Sequence, residues 1–171
     1  MANTRYLVVL SFLVAMAGAL HAVEALLPLP LPVPGAKLGL ANIVSLFLLV
    51  TFDLKSALYV TVARVILGSL LAGSFLGTAF LMSLGGGIFS VLAMHWFLTK
   101  RTPLFSVYGI SVIGAAVHNT VQVVLAACLV ASQGLLWYVP YLIFFAVPTG
   151  IFTGALVIYL TARLPKNLVH N

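Results

Sequence analysis

Long apolar segments separated by short breaks dominate the chain from one end to the other. Six segments can be drawn between the breaks, at residues 6–27, 38–52, 56–72, 75–98, 105–132 and 135–163. A helix needs roughly 17 to 25 mostly apolar residues to cross the hydrocarbon core of a bilayer. Every segment except the second reaches that length. The pattern therefore predicts six transmembrane helices, of which the second is short or tilted.

The composition supports a membrane protein with a single all-α domain over residues 1–171. Of the 171 residues, 63% are hydrophobic and 6% are charged, whereas soluble domains have about 45–50% apolar and about 25% charged residues. The formal net charge is +6. Most basic residues lie in short connections between apolar segments, so they indicate membrane topology and not nucleic-acid binding.

The basic residues also predict the orientation. Six helices place both termini on one side of the membrane. The cations then fall on two faces, with Lys37 alone on one of them and the following on the other: Arg5, Lys55, Lys100, Arg101, Arg163 and Lys166. The positive-inside rule predicts cytoplasmic termini and a multi-pass protein of the plasma or inner membrane.

Arg64 is the most informative residue, because it lies inside the third apolar segment with no acidic neighbour in sequence. A cation at membrane depth costs about 2.5 to 3.5 kcal/mol on insertion scales. It is retained mainly where it faces a polar cavity, a partner side chain or a ligand. Arg64 is thus the first candidate for a functional residue.

Further polar residues are expected in the outer half of the bundle, namely Glu24 on the first helix, Lys37 and Asn42 on the second, and three on the fifth: His118, Asn119 and Gln122. Positions 118 and 122 share one helical face. This set predicts an outward-facing substrate pocket, whose surplus of cations suits a carboxylate, a phosphate or an electron-rich ring. The alternative is that these groups only join helices by hydrogen bonds. A Glu24 pair with Arg64 or Lys37 would weaken the prediction of an anionic ligand.

Glycine and proline mark three further features. The run Gly85-Gly86-Gly87 exposes backbone in mid-helix, which indicates either a crossing helix or contact of Gly86 and its neighbours with a ligand. The proline-rich stretch 28–35 predicts an extended loop, either a lid or a stiff connector. Small-xxx-small spacing occurs in the first helix, at Ala15 and Ala19, and in the last, at Gly150 and Gly154, and predicts close helix packing.

Three motifs carry a resemblance to a known family. They are PGAKLGLAN at 34–42, SLGGG at 83–87 and GAAVHNTVQ at 114–122. In order and over most of the chain they resemble the Gx transporter family, often labelled heptaprenyl diphosphate synthase component I. That family is similar to the S components of energy-coupling-factor (ECF) transporters, which are six-helix proteins that capture vitamins.

The resemblance implies a protein that binds a small metabolite and works with an ECF coupling subunit and its ATPases. The coupling subunit would dock on the first helix at Ala15 and Ala19. The substrates it implies are flavins and thiamine-like vitamins or precursors, followed by isoprenoid-related diphosphates. The alternative is a non-catalytic membrane subunit that scaffolds or regulates an isoprenoid synthase or a redox enzyme.

The chemistry of the residues argues against an enzyme. Prenyl transfer of the familiar kind needs several carboxylates to hold Mg²⁺, but the only acidic residues are Glu24 and Asp53, which the predicted topology places on opposite sides. Asp53 is expected to cap the third helix. The chain has no GxxxxGK[ST] loop for ATP. We expect no metal and no cofactor, with energy supplied by an ATPase partner or an ion gradient.

Overall fold

A computed structural model of the chain describes residues 4–26, 42–100 and 106–163. These residues form six α-helices and contain no strand. The helices are α1 Thr4–Leu26, α2 Asn42–Thr51, α3 Leu54–Leu71, α4 Thr78–Thr99, α5 Val107–Leu129 and α6 Val139–Ala162. A short 3₁₀ helix, Gln133–Tyr138, precedes α6. The prediction of an all-helical protein with six helices is confirmed.

Five of these helical segments are long and apolar enough to cross a membrane. The exception is α2, whose 10 residues extend over about 15 Å, which is half of a hydrocarbon core of about 30 Å. The observed bounds lie within a few residues of the predicted segments, and the largest difference among the long ones is that the sixth segment begins with the 3₁₀ helix. The protein is therefore a multi-pass membrane protein with one short helix.

The helices pack in a simple order. The neighbouring pairs are α1 with α3, α3 with α4, α4 with α5 and α5 with α6, while α2 touches α3, α4 and α6. The Tyr6 hydroxyl of α1 is 2.5 Å from the Ser56 hydroxyl at the start of α3, so these two helices begin at the same end. We call this the inner end, and the opposite end the outer end.

Glycines set the closest helix contact, between α5 and α6. A β-carbon at Gly150 would lie 2.5 Å from Cα of Val112, and one at Gly154 would lie 3.0 Å from Cα of Tyr108. Glycine, whose side chain is a single hydrogen atom, permits two backbones to approach this closely. The small-xxx-small spacing predicted in α6 therefore does mark a close helix contact.

Two apolar clusters fill the bundle. The larger one lies toward the inner end and joins α1, α2, α3 and α6 through residues such as Leu13, Leu48 and Val157. The smaller one lies in the outer half around Met82 and Val123. Most of the buried polar side chains discussed below lie between these clusters or beside the smaller one.

The inner end of α3 is capped as predicted. Asp53 is the N-cap, and its carboxylate accepts hydrogen bonds from the backbone N–H of Ser56 at 2.6 Å and from the Ser56 hydroxyl at 2.5 Å. Both bonds lower the pKa of Asp53 below its ordinary value of 3.8, and the bond from the Ser56 hydroxyl has the larger effect. The cap is therefore fully formed at neutral pH, and its contribution falls only in acid.

Replacement of Asp53 by alanine is expected to lower the free energy of unfolding by about 1 kcal/mol at pH 7. Asp53→Asn keeps an acceptor for the Ser56 N–H and should cost much less. Because the folded-state pKa is depressed, the charge-dependent part of the stabilisation is present above pH 3.8 and declines as the pH falls below it. Thermal unfolding in detergent at pH 7 and pH 3 measures both effects. Equal losses in the two variants would contradict a capping role.

Some predicted features lie outside the described residues. They are Lys37, the proline-rich stretch 28–35, Arg101 and Lys166. The side chain of Arg5 is also not described. The orientation of the bundle in the membrane stays a prediction, which rests on the distribution of cations along the sequence.

Candidate functional site

Arg64 is buried halfway along α3, with 2% of its surface exposed. It is ten residues from Leu54, the first residue of α3, and thus about 15 Å from the inner end. Its Nη2 donates a hydrogen bond of 2.9 Å to Oδ1 of Asn42, the first described residue of α2. The third segment therefore does carry a cation at half depth, and the second segment supplies its polar contact.

Glu24 of α1 provides the countercharge. Its side chain is 3% exposed, and its carboxylate attracts the Arg64 guanidinium electrostatically. The buried charges of α1 and α3 thus offset each other. A pairing of Glu24 with Arg64 is one of the two that the sequence left open. It means that an excess of cations alone does not indicate an anionic ligand.

The three consecutive glycines of α4 lie where α3 and α5 cross it. A β-carbon at Gly87 would be 2.8 Å from Thr61 Cγ2 and 3.5 Å from Arg64 Nη2 of α3, and one at Gly86 would be 3.1 Å from the His118 imidazole of α5. A β-carbon at Gly85 would lie 2.5 Å from Cδ1 of Leu125 of α5. Helices therefore do cross at this run, as one of its two explanations predicted, and the crossing brings Arg64 and His118 to adjacent positions of α4.

The three polar residues of α5 divide between two surroundings. His118 and Gln122 share a face, as the four-residue spacing predicts, and both pack over Gly86. Asn119 instead donates a hydrogen bond of 3.1 Å from Nδ2 to the backbone carbonyl of Leu142 on α6. The structure thus places His118 and Gln122 against the glycine that precedes the one facing Arg64, whereas the observed bond of Asn119 joins two helices.

Three buried donors in this region have no hydrogen-bond partner among the described residues. They are Nε of Arg64, Nδ2 of Asn42 and Oγ of Ser83. Ser83 precedes Gly87 by one turn of α4, so both lie on the face directed at α3. Buried polar atoms in proteins are nearly always hydrogen-bonded, and an exception often marks a missing water, ion or ligand. Within the described part of the chain, these three donors therefore have no acceptor at hydrogen-bonding distance.

His21 is a buried residue that sequence reasoning missed. It is 2% exposed, and a β-carbon at Gly68 of α3 would lie 2.5 Å from its Cδ2. It lies one turn before Glu24 on the same face of α1. That spacing, in an otherwise apolar helix, is the signal that could have identified it. His21 and Glu24 together form the α1 side of the polar region.

Two other predictions concern docking and catalysis. Ala15 and Ala19 are exposed on α1, on a lateral surface of the bundle. Tyr6 and Glu24 are 18 residues apart on α1, about 27 Å, and Tyr6 contacts the Ser56 that Asp53 caps. The two carboxylates thus lie near opposite ends of the bundle. Among the described residues, no three of His, Cys, Asp or Glu are grouped closely enough to hold a metal ion.

Comparison with known protein families identifies the family of the chain. A sequence model of the family described as heptaprenyl diphosphate synthase component I matches residues 13–160. No curated protein and no solved structure matches the chain. The matched range contains every described polar residue of the site, from His21 to Gln122. The chain belongs to the heptaprenyl diphosphate synthase component I family.

Proposed function

We propose that the protein binds a small metabolite carrying a carboxylate or phosphate group and serves as the substrate-binding S component of an ECF-type transporter. The observation that carries the proposal is the set of three buried donors, on Arg64, Asn42 and Ser83, that have no partner among the described residues. All three can donate hydrogen bonds, and only Ser83 can also accept. A ligand with several acceptor oxygens would complete them, whereas an apolar or purely cationic ligand would not.

The charge of the site agrees with this ligand class. The Glu24 carboxylate offsets the charge of Arg64, so an excess of positive charge is not what favours an anionic ligand. Such a ligand is favoured by the donors already removed from water, for which a carboxylate or phosphate supplies charge-assisted hydrogen bonds that are roughly twice as strong as neutral ones. Lys37, His118, Asn119 and Gln122, with the backbone at Gly86, would contribute the remaining contacts and the specificity.

The transport role draws on further features of the chain. The bundle consists of six helices with one short helix, and Ala15 and Ala19 lie on the exposed surface of α1. A coupling subunit would dock on this surface in the cell membrane, and its ATPases would supply the energy for transport. The separation of Glu24 and Asp53 supports a protein without synthase chemistry of its own, since no paired carboxylates exist to hold Mg²⁺.

The test is mass spectrometry of small molecules released from the purified protein. Asn42→Asp keeps an acceptor oxygen for Arg64, so folding should survive, but the added negative charge faces the ligand. We expect wild type to release an enriched carboxylate or phosphate compound that Asn42→Asp has lost. Ser111→Ala is the matched control, because it removes a buried hydroxyl pair with Thr153, 2.6 Å apart, away from the site. Equal retention by Asn42→Asp, or no enriched compound in wild type, would refute the proposal.

A second candidate function follows from the family description. A component I implies another component, and the protein would then be a non-catalytic membrane subunit that scaffolds or regulates an isoprenoid synthase. This function predicts co-purification of a soluble synthase subunit that is unaffected by Asn42→Asp. Asn42→Asp therefore distinguishes the two functions. It should abolish ligand retention if the protein is an S component, and it should leave protein association intact if the protein is a scaffold.

A further inference from the structure

An apolar groove lies between α1, α2 and α6, apart from the polar site. Its volume is about 220 Å³. The walls are formed by apolar side chains, among them Phe12 and Met16 of α1, Ile43 and Phe47 of α2, and Leu160 of α6. Phe12, Met16 and Leu160 are each more than one-third exposed. The groove therefore opens sideways, toward the hydrocarbon of the bilayer.

The groove belongs to the inner half of the bundle. Leu13, which also lines it, is part of the larger apolar cluster at the inner end, and Leu160 lies two residues before the end of α6. A dry cavity of about 150 Å³ is large enough for benzene. A groove of 220 Å³ can thus hold a longer piece of hydrocarbon, such as a stretch of one acyl chain.

A cation lies at the inner end of α6, just beyond the groove residue Leu160. Arg163 follows Leu160 by three residues, which places both on the same side of α6. It is exposed, and its guanidinium carbon lies 4.7 Å from the ring centroid of Tyr159. An arginine at the membrane interface binds phosphate through its planar set of donors. The apolar groove suits an acyl chain, and the cation suits a phosphate headgroup. Their order along the bundle matches that of a phospholipid in the leaflet at the inner end.

We propose that the groove binds one acyl chain of an anionic phospholipid and that Arg163 holds the phosphate headgroup. The site is separate from the polar region around Arg64, which lies at half depth. Lipid occupancy would fix α2, which spans only half the membrane, between α1 and α6. The proposal does not depend on which metabolite the polar region binds.

Native mass spectrometry of the purified protein with phosphatidylglycerol and phosphatidylcholine of equal chains tests the headgroup. Wild type should retain more phosphatidylglycerol, and Arg163→Gln should reduce that preference about fivefold, the effect expected for one basic residue near the headgroups. Lys100→Gln is the matched control, because Lys100 also lies over an aromatic ring, 5.4 Å from the Trp96 centroid, but on α4. An equal loss of the phosphatidylglycerol preference in the two variants would show that general surface charge causes it, and this would overturn the proposal.

Filling the groove tests the acyl chain. Leu160→Trp should lower retention of both lipids, whereas Val147→Trp, at an exposed position of the same helix outside the groove, should not. Glycerol phosphate has the headgroup chemistry without a chain and should not displace the lipid. Displacement by glycerol phosphate would identify a site for soluble phosphate instead, and unchanged retention in a folded Leu160→Trp protein would exclude the groove. Either result overturns the proposal.

Discussion

Replacement of Arg64 by alanine is expected to lower the affinity for the anionic metabolite that we propose as ligand by at least about thirtyfold. Truncating one member of a buried, hydrogen-bonded charge pair typically costs about 2 to 5 kcal/mol, and about 1.4 kcal/mol corresponds to a factor of ten. The variant removes the Arg64 Nε donor and also leaves Asn42 and Glu24 without their cationic neighbour. The readout is the amount of ligand that co-purifies per mole of protein.

Two companion variants separate binding from folding. Lys55→Ala removes an exposed cation at the inner end and should retain the ligand at the wild-type level. Arg64→Lys keeps the positive charge near Glu24 but loses the planar set of donors, so it should restore much of the folding stability and little of the ligand. Full ligand retention in folded Arg64→Ala would show that Arg64 serves only as a structural ion partner.

Gly150→Ala is expected to destabilise the protein by about 1 to 3 kcal/mol, the usual cost of adding atoms to a well-packed interior. Its β-carbon would lie 2.5 Å from Cα and 2.8 Å from the backbone nitrogen of Val112. Because these are backbone atoms, no side-chain rotation relieves the clash, and α5 and α6 must separate. Thermal unfolding in detergent measures the loss.

The control for this variant is Gly134→Ala in the short 3₁₀ helix. There the nearest side-chain atom, Oγ of Ser132, would be 3.8 Å from the new β-carbon, which is an ordinary contact. The stability of Gly134→Ala should stay within about 0.5 kcal/mol of wild type. If Gly150→Ala unfolded at the same temperature as Gly134→Ala, the result would contradict a close backbone contact between α5 and α6.

The architecture was predictable because a bilayer imposes length and polarity on each helix separately. Runs of apolar residues predicted six helices, and the length of the second run predicted a short or tilted helix, of which the short one is observed. The capping role of Asp53 was also predictable, since it depends only on residues three positions away. Local chemistry and the membrane together determine these features, so no knowledge of tertiary contacts was needed.

The arrangement of the site was only partly predictable, because it depends on which helix faces meet. The sequence indicated Arg64 and Glu24 but left open whether Glu24 pairs with Arg64 or with Lys37, and it left two explanations for the run at Gly85–Gly87. Ser83 resembles many serines that bond to their own helix, and only its burial without a described partner distinguishes it. His21 was missed because nothing in sequence places it against Gly68.

The position of Arg64 at half depth has a consequence for the electrical energy of the site. Moving one elementary charge across a whole membrane changes its energy by about 2.3 kcal/mol per 100 mV. In the predicted orientation, with cytoplasmic termini, the proposed anionic ligand would enter from the outer end and would cross roughly half of that potential to reach the level of Arg64. At an inside-negative voltage of about 100 mV, each negative charge on the ligand is therefore opposed by about 1 kcal/mol. The resting voltage itself thus acts as a weak, constant competitor for this site, and the competition grows with ligand charge.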